Sequence, residues 1–311
     1  MTEPIEREHT RLKLSNGVEM PALGLGVYQI PPEQTAQTVA DAIERGYRLI
    51  DTAAAYFNER GVGEGIRLSG IAREEVFVQT KLWISDYGYE RALRAFDVSL
   101  RKLGLDQVDL YLLHWPVPSD FESTVASYEA ALKLLAEGRV RAIGVCNFGP
   151  KHLEELVART GVVPSVNQVE LHPFFTQKAL RQAHARLGIA TQAWSPLGGV
   201  KRYWTQASRE PQDVLAHPVI TRLAHKYGKS PAQIVLRWQI EVGHSAIPKS
   251  VRAERLAENI GIFDCQLAAE DIGSIEALDT GVRGGPDPDL VDSQRFPLAI
   301  EDCGAHGDLA A

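Results

Sequence analysis

The segments VFVQTKLW (residues 76–83) and VDLYLLHW (residues 108–115) decide the fold class of this chain. Each is a short, nearly continuous apolar run that ends in polar or aromatic residues, and an amphipathic stretch over residues 89–103 separates them. Such runs are typical of parallel strands that helices cover on both faces, because no strand face is left to water. The pair therefore predicts a βαβ unit within a parallel sheet.

The same alternation continues in both directions along the chain. Further apolar runs with strand character lie at 23–28, 47–53, 140–148, 165–171, 189–196 and 245–250. Amphipathic stretches predict helices at 33–45, 59–69, 89–103, 123–136, 151–158, 177–187, 220–227, 232–242 and from 252 onward. Eight strands with helical crossovers favour one closed (β/α)8 TIM barrel of the α/β class over two doubly wound domains. We predict a single domain over residues 1–311, with the barrel over about 12–265.

Two segments lie outside this alternation. Residues 11–21 place Asn16-Gly17 between short apolar runs, which is a strong signal for a β-hairpin with a two-residue turn. The segment 281–295 is rich in Gly, Pro and Asp and follows the last predicted helix. We expect an N-terminal β-hairpin and a C-terminal loop over about 281–311.

The composition excludes several classes of protein. The 311 residues are 44% hydrophobic and 23% charged, which is ordinary for a globular chain and excludes a disordered or collagen-like one. With 33 Lys and Arg against 40 Asp and Glu, the net charge of −7 lacks the basic field that nucleic acids and anionic membranes attract. No stretch approaches the ~18 apolar residues of a spanning helix. We expect neither a nucleic acid nor a membrane as a partner.

The three cysteines, Cys146, Cys265 and Cys303, indicate a reducing environment. They are odd in number, widely spaced and without a Cys-x-x-Cys pair, so they fit neither a disulfide framework nor a zinc site. The charged N-terminus does not resemble a signal peptide, so we expect a cytoplasmic protein. No Asp, Glu or His group near His172 has metal-ligand spacing, and no metal is expected.

Polar residues at the ends of the predicted strands indicate where chemistry occurs, because active sites of such barrels lie at the C-terminal strand ends. Asp51, Lys81 and His114 end the second, third and fourth strands, and Tyr56 follows Asp51 by five residues. Each alone could be a cap or a turn residue. Together, a carboxylate, an ammonium, a phenol and an imidazole on consecutive strands predict an acid–base site.

The four side chains suggest separate roles. A free tyrosine has a pKa of ~10, and we expect the Lys81 ammonium to favour the phenolate of Tyr56 and lower that pKa. Asp51 would hold Lys81 in place. His114 would donate a hydrogen bond to the substrate oxygen and orient it.

Seven segments in chain order resemble the signature motifs of the aldo-keto reductase family over roughly residues 12–265. They are LIDTAAAYFNE (49–59), TKLW (80–83), DLYLLHWP (109–116), IGVCNF (143–148), NQVELHP (167–173), AWSPLG (193–198) and IPKSVRAERLAEN (247–259). Because Trp194 stands where many relatives have tyrosine, the chain is most similar to the bacterial branch that includes 2,5-diketo-D-gluconate reductases. The resemblance implies a monomeric barrel that reversibly reduces aldehydes or ketones to alcohols with NADPH. It implies Tyr56 as the general acid, assisted by Asp51, Lys81 and His114.

The resemblance also assigns residues to the NADPH/NADP+ cofactor. Around the nicotinamide, Asn147 and Gln168 would bond the carboxamide, Trp194 would stack on the ring, and Asp51 and Cys146 would lie nearby. Cys146 replaces the serine that most relatives carry there, and a thiol is a weaker donor. The pyrophosphate is assigned Ser195, Pro196, Leu197 and Gly198. The 2′-phosphate is assigned Lys249, Ser250, Val251 and Arg255. The adenine is assigned Glu258 and Asn259.

The implied substrate is a small-molecule carbonyl compound. Gly26, Val27 and Tyr28 would lie between the cofactor and the substrate. The residues implied to contact the substrate are Tyr28, Trp83, His114 and Trp115.

Other interpretations stay open at this point. The barrel could bind the cofactor as a regulatory subunit without turnover, or it could be a lyase that forms a Schiff base on Lys81. Lys249 and Arg255 could be part of a solvated face. The run Gly61-Val-Gly63-Glu-Gly65 lacks the last spacing of a Rossmann fingerprint and does not follow a strand, so we discard a Rossmann site.

Overall fold

The computed structural model describes residues 10–199 and 213–300. Cys303, the charged N-terminal segment before residue 10 and the end of the predicted C-terminal loop (301–311) lie outside the described residues. No helix within the described ranges is both long and apolar enough to cross a membrane.

The chain begins with the predicted hairpin. Strands β1 (Arg11–Lys13) and β2 (Glu19–Pro21) pair antiparallel. The Leu14 amide donates to the Val18 carbonyl at 2.8 Å, so the turn contains three residues rather than the predicted two. Gly17 lies in the left-handed region with φ of 87°, and three-residue hairpin loops commonly place glycine there.

Eight parallel strands follow in sequential order and form the barrel wall. They are β3 (Leu25–Gly26), β4 (Leu49–Asp51), β5 (Phe77–Leu82), β6 (Val108–Leu113), β7 (Val140–Cys146), β8 (Val166–Glu170), β9 (Ala190–Trp194) and β10 (Ser245–Ala246). The first and last strands meet, because Gly24 and Gly26 donate to the carbonyls of Ala246 and Pro248 at 2.9 and 3.1 Å. The sheet is therefore closed, as predicted for a (β/α)8 barrel.

Ten α-helices are present in the described residues. They are α1 (Pro32–Glu44), α2 (Glu59–Ser69), α3 (Tyr89–Leu103), α4 (Phe121–Ala136), α5 (Pro150–Thr160), α6 (Lys178–Leu187), α7 (Pro218–Tyr227), α8 (Pro231–Glu241), α9 (Ala253–Ile260) and α10 (Ala269–Glu276). Helix α10 was not predicted, because no strand follows it and the β/α alternation gives no signal there.

The hydrophobic core has two main layers. The larger lies between the outer faces of the strands and the helices. The smaller lies inside the barrel, where Leu14 and Met20 of the hairpin pack against Leu49, Phe77 and other inward-facing strand residues. The hairpin therefore closes the N-terminal end of the barrel and leaves the C-terminal end as the open mouth.

The glycine-rich run 61–65 lies inside α2 and not in a phosphate-binding loop. A Cβ atom on Gly63 would lie 1.8 Å from the Leu103 carbonyl oxygen, and one on Gly65 would lie 2.5 Å from the Ala36 carbonyl oxygen. These glycines allow α2 to pack closely against its neighbours, which agrees with the rejection of a Rossmann site.

The predicted last strand is too long. Regular pairing of β10 ends at Ala246, so Lys249 and Ser250 lie in the connection to α9 and not at a strand end. The strands are also less apolar than predicted, because Gln79, Gln168 and Gln192 are buried inside the barrel.

Candidate active site

The four predicted acid–base residues lie together at the mouth of the barrel. Lys81 Nζ donates to Asp51 Oδ1 at 2.6 Å, to the Thr52 carbonyl at 2.9 Å and to Tyr56 Oη at 3.1 Å. Asp51 ends β4, Lys81 lies near the end of β5, and Tyr56 ends a short 3₁₀ turn after β4. The His114 ring lies edge-on to the Tyr56 ring, with centroids 5.8 Å apart. The sequence-based grouping of these residues therefore agrees with their positions.

Burial governs the protonation of Tyr56. It raises the pKa of the phenol above its ordinary value, and the Lys81 ammonium opposes this shift only in part. The Asp51 charge adds to the increase and partly cancels the effect of Lys81. The predicted lowering of the Tyr56 pKa is therefore wrong in sign for the protein alone. The phenol is protonated at neutral pH, as a proton donor must be.

Lys81 is fully buried and charged. Burial is the largest single effect and by itself would lower the pKa of the ammonium, but the charge and hydrogen bond of Asp51, together with Tyr56 and Cys146, outweigh it and the pKa is raised. The three protons of the ammonium have three acceptors, namely Asp51, Thr52 and Tyr56. A Schiff base requires a neutral, accessible amine. The structure therefore does not favour the Schiff-base lyase.

His114 follows β6 directly and faces the same cavity as Tyr56. Burial and the nearby Lys81 charge hold the pKa of its imidazole well below the ordinary value, so the ring is neutral. Its Nδ1 atom is buried and has no hydrogen-bond partner among the described residues. Trp83 packs edge-on against the ring, with centroids 5.1 Å apart, and fixes its plane.

Three buried glutamines support Asp51 from inside the barrel. Gln79 and Gln168 donate to Asp51 Oδ1 at 2.6 and 2.9 Å, and both also donate to Gln192 Oε1 at 2.7 Å. Gln192 in turn donates to the Ser245 hydroxyl at 3.1 Å. Sequence reasoning missed Gln79 and Gln192. Their signal is a polar residue in the middle of an apolar strand, as in VFVQTKLW.

A cavity of about 550 Å³ opens at the mouth. It brings together most of the predicted catalytic, nicotinamide and substrate residues with Lys249 at one side. The lining residues that were predicted are Gly26, Tyr28, Asp51, Tyr56, Trp83, His114, Trp115, Asn147, Gln168, Trp194, Ser195 and Lys249. Those that were not are Gln29, Ala55, Ile247, Pro286, Arg295, Phe296, Pro297 and Leu298.

The residues predicted to contact the nicotinamide bond to one another. Asn147 Nδ2 donates to the His114 carbonyl at 3.1 Å, and Trp194 Nε1 donates to Asn147 Oδ1 at 2.8 Å. Asn147 and Ser195 both adopt left-handed backbone conformations, with φ of 64° and 48°. Cys146 is buried in the barrel interior, and burial raises the pKa of its thiol, so it stays neutral.

The predicted phosphate-binding residues lie around the start of α9. Lys249 and Arg255 are exposed, and no salt bridge to either is present in residues 10–199 and 213–300. The buried Ser250 hydroxyl accepts the Arg252 amide at 3.1 Å, just before the helix begins. The predicted positions that do not line the cavity are Val27, Lys81, Cys146, Pro196, Leu197, Gly198, Ser250, Val251, Arg255, Glu258 and Asn259.

Comparison with known proteins identifies the family. Residues 20–280 match the model of the Aldo/keto reductase family. Morphine 6-dehydrogenase from Pseudomonas putida is 54% identical over 92% of this chain and 96% of its own length. Methylglyoxal reductase DkgA from Escherichia coli is 45% identical, over 90% of this chain and 97% of its own length. Both relatives are bacterial, in agreement with the branch predicted from the sequence.

Solved structures agree. A mutant of Gox0644, determined in complex with NADPH, superimposes with a TM-score of 0.84 at 42% identity and covers 91% of this chain and 99% of its own. The predicted fold and family are thus confirmed. The chain belongs to the aldo/keto reductase family, and it is an NADP-dependent oxidoreductase that reduces carbonyl compounds.

Proposed function

We propose that this chain reduces small-molecule aldehydes and ketones with NADPH and that Tyr56 is the general acid. The observation that carries this proposal is the Tyr56 phenol at the cavity wall, with Lys81 Nζ 3.1 Å from its oxygen. Continuous consumption of NADPH in the presence of an aldehyde tests the proposal. A chain that binds NADPH but consumes none with a broad panel of aldehydes, ketones and keto-sugars would be a regulatory subunit instead.

The tetrad residues have distinct parts in the proposed reaction. NADPH, when bound, supplies the hydride that reduces the carbonyl carbon. Tyr56 Oη–H donates to the carbonyl oxygen and transfers its proton as negative charge develops there. The adjacent Lys81 ammonium stabilises the resulting phenolate, and Asp51 holds Lys81 in place at 2.6 Å.

His114 orients the substrate in this proposal. Its neutral imidazole can donate one hydrogen bond to the carbonyl oxygen, which directs that oxygen toward Tyr56. Tyr28, Trp83 and Trp115 supply the aromatic surface around it. Because Trp83 fixes the plane of the His114 ring, little reorganisation is needed when the substrate binds.

The residues present fit an extended dinucleotide phosphate. One cavity connects Tyr56 and His114 with Asn147, Gln168, Trp194 and Ser195, and it reaches Lys249. Gln168 uses its Nε2 for protein contacts, so its Oε1 is the atom that we assign to a carboxamide donor. Lys249, Ser250 and Arg255 supply two cations and a hydroxyl for the 2′-phosphate, and residues 195–198, which include the small Ser195 and Gly198, are assigned to the pyrophosphate.

We further propose that residues 1–311 form one domain that acts as a monomer in the cytoplasm. The net charge of −7 supports small molecules rather than nucleic acids as partners. Light scattering coupled to size exclusion would test the oligomeric state, and a mass of two chains would overturn the monomer.

Truncation of the C-terminal loop after Gly281 is expected to alter substrate preference. Pro286 and the segment 295–298 line the cavity, and Trp83 Nε1 donates to the Leu298 carbonyl at 2.8 Å. Closing a surface loop costs little conformational entropy, and this loop forms part of the substrate wall. Relative kcat/KM values across a substrate panel should change much more than the Kd for NADPH. The opposite pattern would make the loop a cofactor clamp or a fold element.

A further inference from the structure

A buried carboxylate holds the C-terminal loop at one point. Glu170, the last residue of β8, is fully buried. Its Oε1 accepts the Gly284 amide at 2.7 Å, and its Oε2 accepts the Gly285 amide at 2.9 Å. Both carboxylate oxygens therefore bond to consecutive amides of a segment that lies 114 and 115 positions away in the sequence.

The loop amides take the place of water around the Glu170 carboxylate. A carboxylate inside a protein is costly unless hydrogen bonds or opposite charges replace water. Besides the two glycine amides, Glu170 contacts His172 Nε2 at 3.1 Å. The Arg283 guanidinium interacts electrostatically with Glu170, and it lies 5.0 Å from the centroid of the Phe175 ring. Release of the loop would remove the two amide donors from Glu170.

The loop has little regular structure of its own to fix its course. Within residues 281–300, the regular element is the three-residue 3₁₀ turn Pro288–Leu290. Its other attachments include an Asp289–His152 contact at 3.0 Å, the bond from Trp83 to Leu298, and the packing of Val291 in the hydrophobic core. Because Pro286 follows Gly285 directly and lines the cavity, the position of Gly285 sets where this part of the wall begins.

We infer that Glu170 is a positioning residue for the substrate pocket: its carboxylate binds the Gly284 and Gly285 amides and thereby places the loop wall opposite Tyr56 and His114. The inference rests on the proposed function, in which this loop forms one side of the substrate site. Glu170 does not touch the reacting atoms in this arrangement. Its contribution is to favour a single conformation of the loop. This conformation affects the binding of substrates that are large enough to reach Pro286.

The first test is hydrogen–deuterium exchange of the intact protein carrying Glu170→Gln. An amide side chain has one acceptor oxygen, so one glycine N–H loses its partner and both lose a charged one. Exchange of the Gly284 and Gly285 amides should become at least about tenfold faster, as expected for loss of a hydrogen bond to a charged group. Unchanged exchange would overturn the inference.

The matched control is Asp109→Asn. Asp109 is also a buried carboxylate that accepts a backbone amide, from Val78 at 2.8 Å, but it lies at the start of β6, at the opposite end of the barrel. This variant should lower stability without changing exchange in the loop. Equal acceleration of loop exchange in both variants would show that Glu170 acts through general stability, which would overturn the inference.

The second test is kinetic and separates binding of substrate from chemistry. For a bulky aromatic ketone, Glu170→Gln should raise KM about tenfold, while kcat with a two-carbon aldehyde and the Kd for NADPH stay within about twofold of wild type. If loop exchange became faster but the KM for the bulky ketone stayed at its wild-type value, the positioning role would be overturned. Absence of turnover in the wild type would refute the proposed function instead, and the exchange test would still report on the carboxylate contact.

A variant in the loop tests the same contact without a substitution in the barrel, so a misfolded barrel cannot account for its effect. Gly285→Pro removes the second amide donor without altering Glu170. It should reproduce the faster exchange at Gly284 and the higher KM for the bulky ketone. When combined with Glu170→Gln, its effect should be clearly less than additive, since both changes break the same contact. Additive effects would show that the two residues act separately and would contradict the inference.

Discussion

Tyr56→Phe is expected to lower the rate of carbonyl reduction by about 10²- to 10⁴-fold, the usual contribution of a general acid. The substitution keeps the aromatic ring and removes the proton that the substrate oxygen receives. Lys81 keeps its bonds to Asp51 and Thr52, so the local structure should persist. Single-turnover kinetics with NADPH would measure the chemical step, and the Kd for NADPH should change little.

The control for this variant is Tyr128→Phe. The Tyr128 hydroxyl is also buried, and it has no hydrogen-bond partner among the described residues. Its removal should leave the chemical step unchanged. If Tyr56→Phe retained more than a tenth of the wild-type rate with chemistry rate-limiting, Tyr56 would not be the general acid.

Replacement of both Lys249 and Arg255 by alanine should raise the Kd for NADPH by a factor on the order of 10² or more. A phosphate dianion gains charge-assisted hydrogen bonds from both side chains, and the arginine bonds can be bidentate. NADH lacks the 2′-phosphate, so its Kd should stay nearly unchanged. Because both cations are exposed, the wild-type preference for NADPH should shrink as the salt concentration rises.

A suitable control replaces Arg11 and Lys13 by alanine. These residues lie in β1 of the N-terminal hairpin, at the closed end of the barrel, and the change in net charge is the same. The Kd for NADPH should then shift by only a small factor. Equal weakening of NADPH and NADH in the Lys249 and Arg255 variant would mean that these side chains hold the adenine or the fold, and the 2′-phosphate assignment would be withdrawn.

The barrel and its tetrad could be predicted because both follow from local patterns and one topological rule. Strand and helix periods are visible in the sequence, and consecutive parallel strands necessarily bring their C-terminal ends together. Asp51, Lys81 and His114 could thus be grouped without coordinates. The hairpin itself was predicted, but the two-residue turn was wrong, because the same Asn-Gly signal occurs in a three-residue loop when the glycine takes the left-handed position.

Properties that depend on burial or on distant contacts could not be predicted. The sign of the Tyr56 pKa shift depends on the balance between desolvation and two opposite charges, which requires distances. Gln79 and Gln192 are 113 positions apart in the sequence and bond to each other inside the barrel. The apolar pattern of their strands gives no indication of this contact. Glu170 looked like part of a family motif, and its contact with the loop is visible only in three dimensions.

The most direct test of the proposed reaction is transfer of deuterium from NADPH labelled at its transferable position. The wild-type chain should deliver the label to the carbinol carbon of the alcohol formed from an aldehyde, and Tyr56→Phe should deliver it to the same carbon about 10²- to 10⁴-fold more slowly. Product alcohol without the label, or equal rates of label transfer by the two proteins, would contradict NADPH-dependent reduction with Tyr56 as the proton donor.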